Sequence, residues 1–296
     1  MKRLRLAVVL AGVVGFVATD CVFGADEWEG VKDGKRGGIS GMALIEAGKS
    51  GGSFLIVHDN KKPEDVKCAV VTVGGEGGAD YKALAWAKGA PDPVDFESLC
   101  AVPGTKSEYL AVMSNGDVFH LKLVDGKTLE LLGRFSWPDT KGKNFEGVGL
   151  YEKDGVMAVV WAHRGEGAPG ELFWGALDLA KHKVSAAGSA RITVPWPAGN
   201  QVRSISDLTI DDQGSIYISS AFDPGDDGPF DAALYLIGKI AATSPEVALE
   251  LLPKPEEVCR APGHKVEGIV LMPGSDRRFF VGTDDENKGS SVRFLP

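Results

Sequence analysis

Apolar and polar positions alternate along most of this chain in short runs bounded by Gly, Pro, Asp and Asn, the pattern of half-buried β-strands joined by tight turns. One phrase recurs five times: ISGMAL from Ile39, FESLCA from Phe96, FEGVGL from Phe145, ISDLTI from Ile205 and VEGIVL from Val266. Each copy opens on an apolar residue, continues with Ser or Glu and then a small or acidic residue, and ends in a mostly apolar tail. A second β-rich run follows each copy: FLIVHDN, YLAVMSNG, VMAVVWAHRG, SIYISSAFD and RFFVGTDDEN. Copies begin about 50 to 60 residues apart, and a repeat of that size holding several short strands is a propeller blade.

The fold class expected is therefore all-β, a five-bladed β-propeller, with a six-bladed ring as the alternative. First strands are predicted at Gly38–Leu44, Asp95–Val102, Phe145–Tyr151, Ser204–Ile210 and Val266–Leu271. The turns after them have suitable chemistry, such as Lys153-Asp154-Gly155 and Asp211-Asp212-Gln213-Gly214. The fifth blade runs out of chain after three strands, while Asp26–Val31 belongs to no blade. That segment is expected to supply the missing outer strand and close the ring, removing an exposed sheet edge.

Ahead of the repeats, Lys2, Arg3 and Arg5 precede an apolar stretch from Leu6 to Ala18, followed by small residues near Gly24. This is the pattern of an export leader, too short for a comfortable membrane span. Residues 1–24 are read as a signal peptide and 25–296 as one propeller domain, periplasmic or secreted, monomeric and without a transmembrane segment. Cys21 follows Asp20, a poor match to a lipidation site. Cys68, Cys100 and Cys259 then remain; an odd number admits at most one internal bridge, and buried thiols are the preferred reading. The net charge of −9 argues against nucleic acid and anionic membrane as partners.

In a propeller, the starts of the first strands and the ends of the second strands open on one face of the central channel. That placement gathers Glu97, Glu146, Glu267, Asp284 and Asp285 as candidate metal ligands. Arg36, His58, Asp59, His163, Arg164 and Arg203 are the candidate ligand-binding residues. Clustered carboxylates repel one another unless a cation intervenes. Ca²⁺, which takes six to eight oxygen donors, is the expected one; a purely structural role as caps for backbone N–H groups is the alternative for the three glutamates. Asp223-Pro-Gly-Asp-Asp-Gly-Pro lacks the spacing of an EF-hand and reads as a solvated acidic loop. The five histidines form no HxxxH or HExxH pattern, and His182, in a Lys-His-Lys turn, reads as solvated. Gly38-Ile-Ser40-Gly41 is not a nucleophile elbow, and no catalytic residue is assigned.

The phrases ISGM, DFESL, NFEGVGL, SISDLTID and KVEGIVL followed by VGTDDEN resemble the repeat phrases of the SdiA-regulated β-propeller family and of the phytase-like secreted propellers. The resemblance spans most of residues 37–296. It implies five or six blades, export, bound calcium in many members, and esterase-like or phytase-like activity in some. Arg36, Lys143, Arg203 and Lys265 match the cationic half of a phosphate-cleaving site, while the acidic half is only partly present. The expectation is an exported, calcium-binding propeller that binds a small polar molecule, a glycan or an envelope protein. The alternative is a calcium-dependent phosphoesterase or esterase.

Overall fold

The computed structural model describes residues 28–48, 51–74, 78–243, 246–273 and 279–295. The proposed leader and its cleavage point lie outside these residues. β1 (Glu29–Lys32) precedes four complete blades. Blade 1 is β2 (Gly41–Ala47), β3 (Gly52–Val57), β4 (Cys68–Val73) and β5 (Asp80–Ala83). Blade 2 is β6 (Phe96–Ala101), β7 (Glu108–Met113), β8 (Asp117–Val124) and β9 (Thr128–Ser136). Blade 3 is β10 (Phe145–Lys153), β11 (Val156–His163), β12 (Gly170–Asp178) and β13 (Lys183–Ile192). Blade 4 is β14 (Val202–Ile210), β15 (Ser215–Phe222), β16 (Asp231–Thr243) and β17 (Glu246–Pro262).

Blade 5 comprises β18 (Val266–Leu271), β19 (Phe279–Thr283) and β20 (Ser290–Leu295), with β1 added as its outer strand. Every sheet is four-stranded and antiparallel, and the ring has five blades. The closing strand is where the pattern placed it: Glu29 pairs with Val292 and Gly30 with Ser291. Closure satisfies the edge that β20 would otherwise expose.

The core lies between blades. Among the described residues, buried apolar side chains fall into five clusters, one at each seam. Phe54 of blade 1 stacks on Phe280 of blade 5 at 4.2 Å between centroids, and Trp137 stacks on Trp161 at 5.1 Å across the seam of blades 2 and 3. The three later cysteines are free thiols, with Cys68 buried. Among the described residues no helix is long and apolar enough to cross a membrane.

Blade 4 has a long outer edge. β17 runs on to Pro262, paired with a lengthened β16. Two bulges, at Leu234/Tyr235 and Leu236/Gly238, let the strands bend as they lengthen. Pro253 and Pro255 are tolerated because β17 is an edge strand, whose outward N–H groups need no partner.

Candidate functional site

The recurring phrase has a geometric basis. In β6, β10 and β18 the register slips between Phe96 and Ser98, between Phe145 and Gly147, and between Val266 and Gly268. Glu97, Glu146 and Glu267 are thus the bulged residues, and a bulge re-aims a side chain out of the alternating pattern of its strand. The residue after each is small because neighbouring first strands converge there. A Cβ on Gly41 would lie 2.7 Å from the Leu99 backbone nitrogen, and one on Gly147 2.9 Å from Leu208 Cβ.

The bulged carboxylates enter an ion-pair lattice. Arg203 donates through Nη1 to Glu267 (2.6 Å) and through Nη2 to Asp223 (2.6 Å), with Glu146 Oε2 at 3.7 Å from Nη1. Arg164 holds the other Glu146 oxygen at 2.8 Å and also bonds Glu166. Lys265 is only 1% exposed, and its ammonium faces Glu286 (2.7 Å), Asp284 (3.1 Å), Asp223 (3.5 Å) and Glu267 (3.5 Å). Burial alone would lower the Lys265 pKa, but Glu267 and Asp284 outweigh it and hold the amine charged. Burial works against ionisation of Asp223, and Lys265 and Arg203 overcome it, so this carboxyl falls below the usual range.

Glu97 differs from its two counterparts. It is half-buried and makes no hydrogen bond or ion pair among the described residues. Burial first, then the charges of Glu146 and Glu267, push its carboxyl well above the ordinary range. Asp59, at the end of β3, is raised to about 6 by burial and by Asp284 and Asp95. Deeper in the channel, Asp207 occupies the third position of the fourth phrase. It accepts from Ser98 Oγ (3.2 Å) and from the Ile269 backbone N–H (2.7 Å), and burial raises its carboxyl strongly.

The residues expected to contact a ligand separate into two groups. Arg164, Arg203 and Asp59 come to the channel mouth beside Glu97, Glu146, Glu267 and Asp284. His58 does not: its ring is buried, with Nδ1 2.5 Å from the Gly38 carbonyl and Nε2 3.1 Å from Tyr81 Oη. Burial lowers the His58 pKa to about 4, so the ring is a neutral structural link. Arg36 lies exposed and pairs with Asp65 at 3.0 Å. His163 Nδ1 is 2.9 Å from both backbone polar atoms of Asn144, which ties the ring to its own blade.

The carboxylates expected to bind calcium fit that ion poorly. Arg164, Arg203 and Lys265 stand among Glu146, Glu267 and Asp284, where the ion would have to be. Asp285 is committed to His264 Nδ1 (2.6 Å), the Lys265 N–H (2.7 Å) and Thr283 Oγ1 (3.0 Å). Among the described residues no three His, Cys, Asp or Glu side chains are arranged as a metal-ligand set. In the acidic loop after β15, Asp226 and Asp227 are exposed as expected, while Asp223 is not. Asp223 joins the lattice, Asp226 pairs with Lys35 at 2.7 Å, and Asp227 accepts from Asn287 at 3.1 Å. Asp207 was detectable from sequence, since it stands in register with Gly41, Ser98, Gly147 and Gly268. The pairing of Glu286 with Lys265 was not, since it depends on a contact between segments.

Fold and site define a five-bladed propeller with a carboxylate-rich, internally neutralised mouth. Solved structures share the architecture. An endo-arabinase from Bacteroides thetaiotaomicron superposes with a TM-score of 0.54 at 12% identity, covering 90% of this chain and 95% of that one. An exo-1,5-alpha-L-arabinanase from a bovine ruminal metagenomic library gives 0.50 at 8% identity, covering 91% and 94%. A thermostable family-43 glycoside hydrolase gives 0.48 at 10% identity, covering 87% and 88%. At these identities the likeness is one of fold. No family model matches the chain, and no curated protein does, so neither comparison supports the SdiA-regulated or phytase-like resemblance.

Proposed function

We propose that the channel mouth binds a neutral, polyhydroxylated ligand, a saccharide or glycan end, in an exported monomer acting in the periplasm or outside the cell. The observation that carries this is Glu97: a half-buried carboxyl with no hydrogen-bond or ion-pair partner among the described residues, pushed toward its neutral form by burial and by Glu146 and Glu267, beside carboxylates already paired to Arg164 and Arg203. A protonated carboxyl donates through O–H and accepts through its carbonyl oxygen, as a sugar hydroxyl requires. The arginine-fixed carboxylates offer further acceptors at rigid positions. Glycan-active propellers with the same architecture are compatible with this reading.

Phosphate esters suit the mouth less well. Arg164, Arg203 and Lys265 are each engaged with carboxylates, and the remaining carboxyls would repel a phosphate. Calcium would have to displace those same cations.

A glycan array followed by calorimetry on the exported domain tests the reading. Binding of a neutral glycan that is lost in Glu97→Ala and weakened in Glu97→Gln is the expected result. Glycan binding unchanged in Glu97→Ala, or a preference for phosphorylated ligands, would refute it. A second reading, cleavage of the bound glycan, is favoured by the same upward shift of Glu97, since a carboxyl biased toward its neutral form suits a general acid. Release of reducing sugar that requires Glu97 would establish it.

A further inference from the structure

Away from the channel, at the seam between blades 2 and 3, two histidine rings meet edge to face. His120 Nδ1 lies 3.1 Å from His182 Nε2, with ring centroids 5.3 Å apart. His120 belongs to β8 and is only 6% exposed; its other nitrogen, Nε2, is 3.0 Å from Glu108 Oε2 on β7. His182 follows the short turn Leu179–Lys181 and is half-exposed. The Lys-His-Lys composition that read as solvated thus conceals an inter-blade contact.

We propose that His120 and His182 form a two-histidine site for a late first-row divalent metal, with Zn²⁺ and Cu²⁺ as the natural occupants and water completing the coordination. Three observations support it. The first is ligand geometry. Two imidazole nitrogens bound to one tetrahedral Zn²⁺ at about 2.0–2.1 Å stand about 3.3 Å apart, close to the separation already present. The second is orientation. The Glu108 carboxylate accepts from His120 Nε2–H, which leaves the Nδ1 lone pair directed at His182. A carboxylate holding the far N–H of a ligating histidine is a recurrent outer partner of metal sites. The third is the seating of His182. Its backbone is left-handed (φ 49°), its ring stacks on Phe135 at 5.8 Å, and it lies over Gly133, where a Cβ would fall 2.1 Å from His182 Cε1. Any side chain at position 133 would drive the ring out of place.

Metal binding needs only a tautomer change. His182 now donates from Nε2 to the His120 lone pair; with a metal between them it carries its proton on Nδ1 instead. No proton is lost overall. Lys181 and Lys183 flank His182 in the chain, Lys122 follows His120 by two residues on β8, and Arg134 is next to Gly133 on β9, 3.6 Å from Asp117. Their positive charge opposes a cation, so the expected affinity is micromolar rather than nanomolar.

The test is Zn²⁺ titration of the tag-free chain by calorimetry, with Cu²⁺ electron paramagnetic resonance as a second readout. One Zn²⁺ per chain is expected, and the Cu²⁺ spectrum should carry couplings to two nitrogens. His182→Asn keeps a residue that tolerates the left-handed backbone and should abolish the site. Glu108→Gln should weaken it by about 10-fold or more, while Glu97→Gln leaves it unchanged, which separates this site from the channel mouth. No Zn²⁺ binding up to about 1 mM, equal binding by His182→Asn, or a Cu²⁺ spectrum with fewer than two nitrogens would each overturn the proposal; the last applies even if the variant fails to fold.

Discussion

Arg203 and Glu267 are held 2.6 Å apart across the seam between blades 4 and 5, and the same guanidinium also reaches Asp223. At 14% side-chain exposure, Arg203 is screened little by water. Replacing it with Met should leave two buried carboxylates short of their main counter-charge and destabilise the domain by about 3–5 kcal/mol. Arg203→Lys should recover only part of this, because one ammonium cannot reproduce the forked geometry. Urea unfolding of the two variants beside the parent is the check.

Ring closure by β1 predicts a second outcome. A chain lacking residues 25–33 should melt lower, by about 2–4 °C for each kcal/mol lost. It should also self-associate through the bared edge of β20. Differential scanning calorimetry and light scattering measure both, and an unchanged melting temperature with a monodisperse monomer would contradict the role of the clasp.

Acid behaviour should be divided between two buried groups of opposite sign. His58 titrates near 4 in the fold, below its unfolded value, so the stability of its neutral form is lost as pH falls from about 6.5 through 4. Asp59 titrates near 6, above its unfolded value, so the stability of its protonated form is lost as pH rises through 6. Each shift corresponds to about 3 kcal/mol, and in the parent chain they largely cancel between pH 4 and 7. Asp59→Asn should therefore be more stable than the parent at pH 7 by up to about 3 kcal/mol, equal to it near pH 4, and more steeply acid-sensitive between. Denaturation curves across that range would show the divergence.

Convergence of the first strands makes Gly41 intolerant of a side chain. Gly41→Ala places a methyl 2.7 Å from the backbone of blade 2. It should cost about 1–3 kcal/mol by forcing two first strands apart. An alanine at Gly126, where nothing lies within 4 Å, gives a control for space though not for backbone, since its φ is +63°.

Calcium offers a direct check on the ion-pair lattice. With Arg164, Arg203 and Lys265 neutralising the mouth, adding Ca²⁺ or a calcium chelator should leave the melting temperature unchanged. A rise with Ca²⁺ would mean that the ion displaces at least one of those cations.

The ring was legible because each blade repeats the same local solution. Ser or Glu stands at the second position of the phrase, bulged in blades 2, 3 and 5, a residue that is small in four of the five copies follows where first strands converge, and an apolar tail packs into the seam. These are short-range constraints, and they leave a periodic mark in sequence. The end of β17 left none, since its alternation is weak and Pro253 and Pro255 read as a break. The site was legible only as an inventory. Glu146, Glu267 and Arg203 were recognisable as mouth residues, but which carboxylate meets which cation depends on partners 20 to 64 residues away. Only those partners distinguish Glu97, which has none among the described residues, from its two paired counterparts.

The pairing of Gly30 with Ser291 also has a temporal consequence. The strand made first in the ring is used last: β1 has no place to dock until β20 exists. A propeller closed this way passes through a stage in which four sheets are complete and the fifth lacks its outer strand. That last pairing joins segments close to the two ends of the described chain. A domain carried out of the cell unfolded and amino end first would keep that strand waiting on the far side of the membrane while the remaining blades arrive.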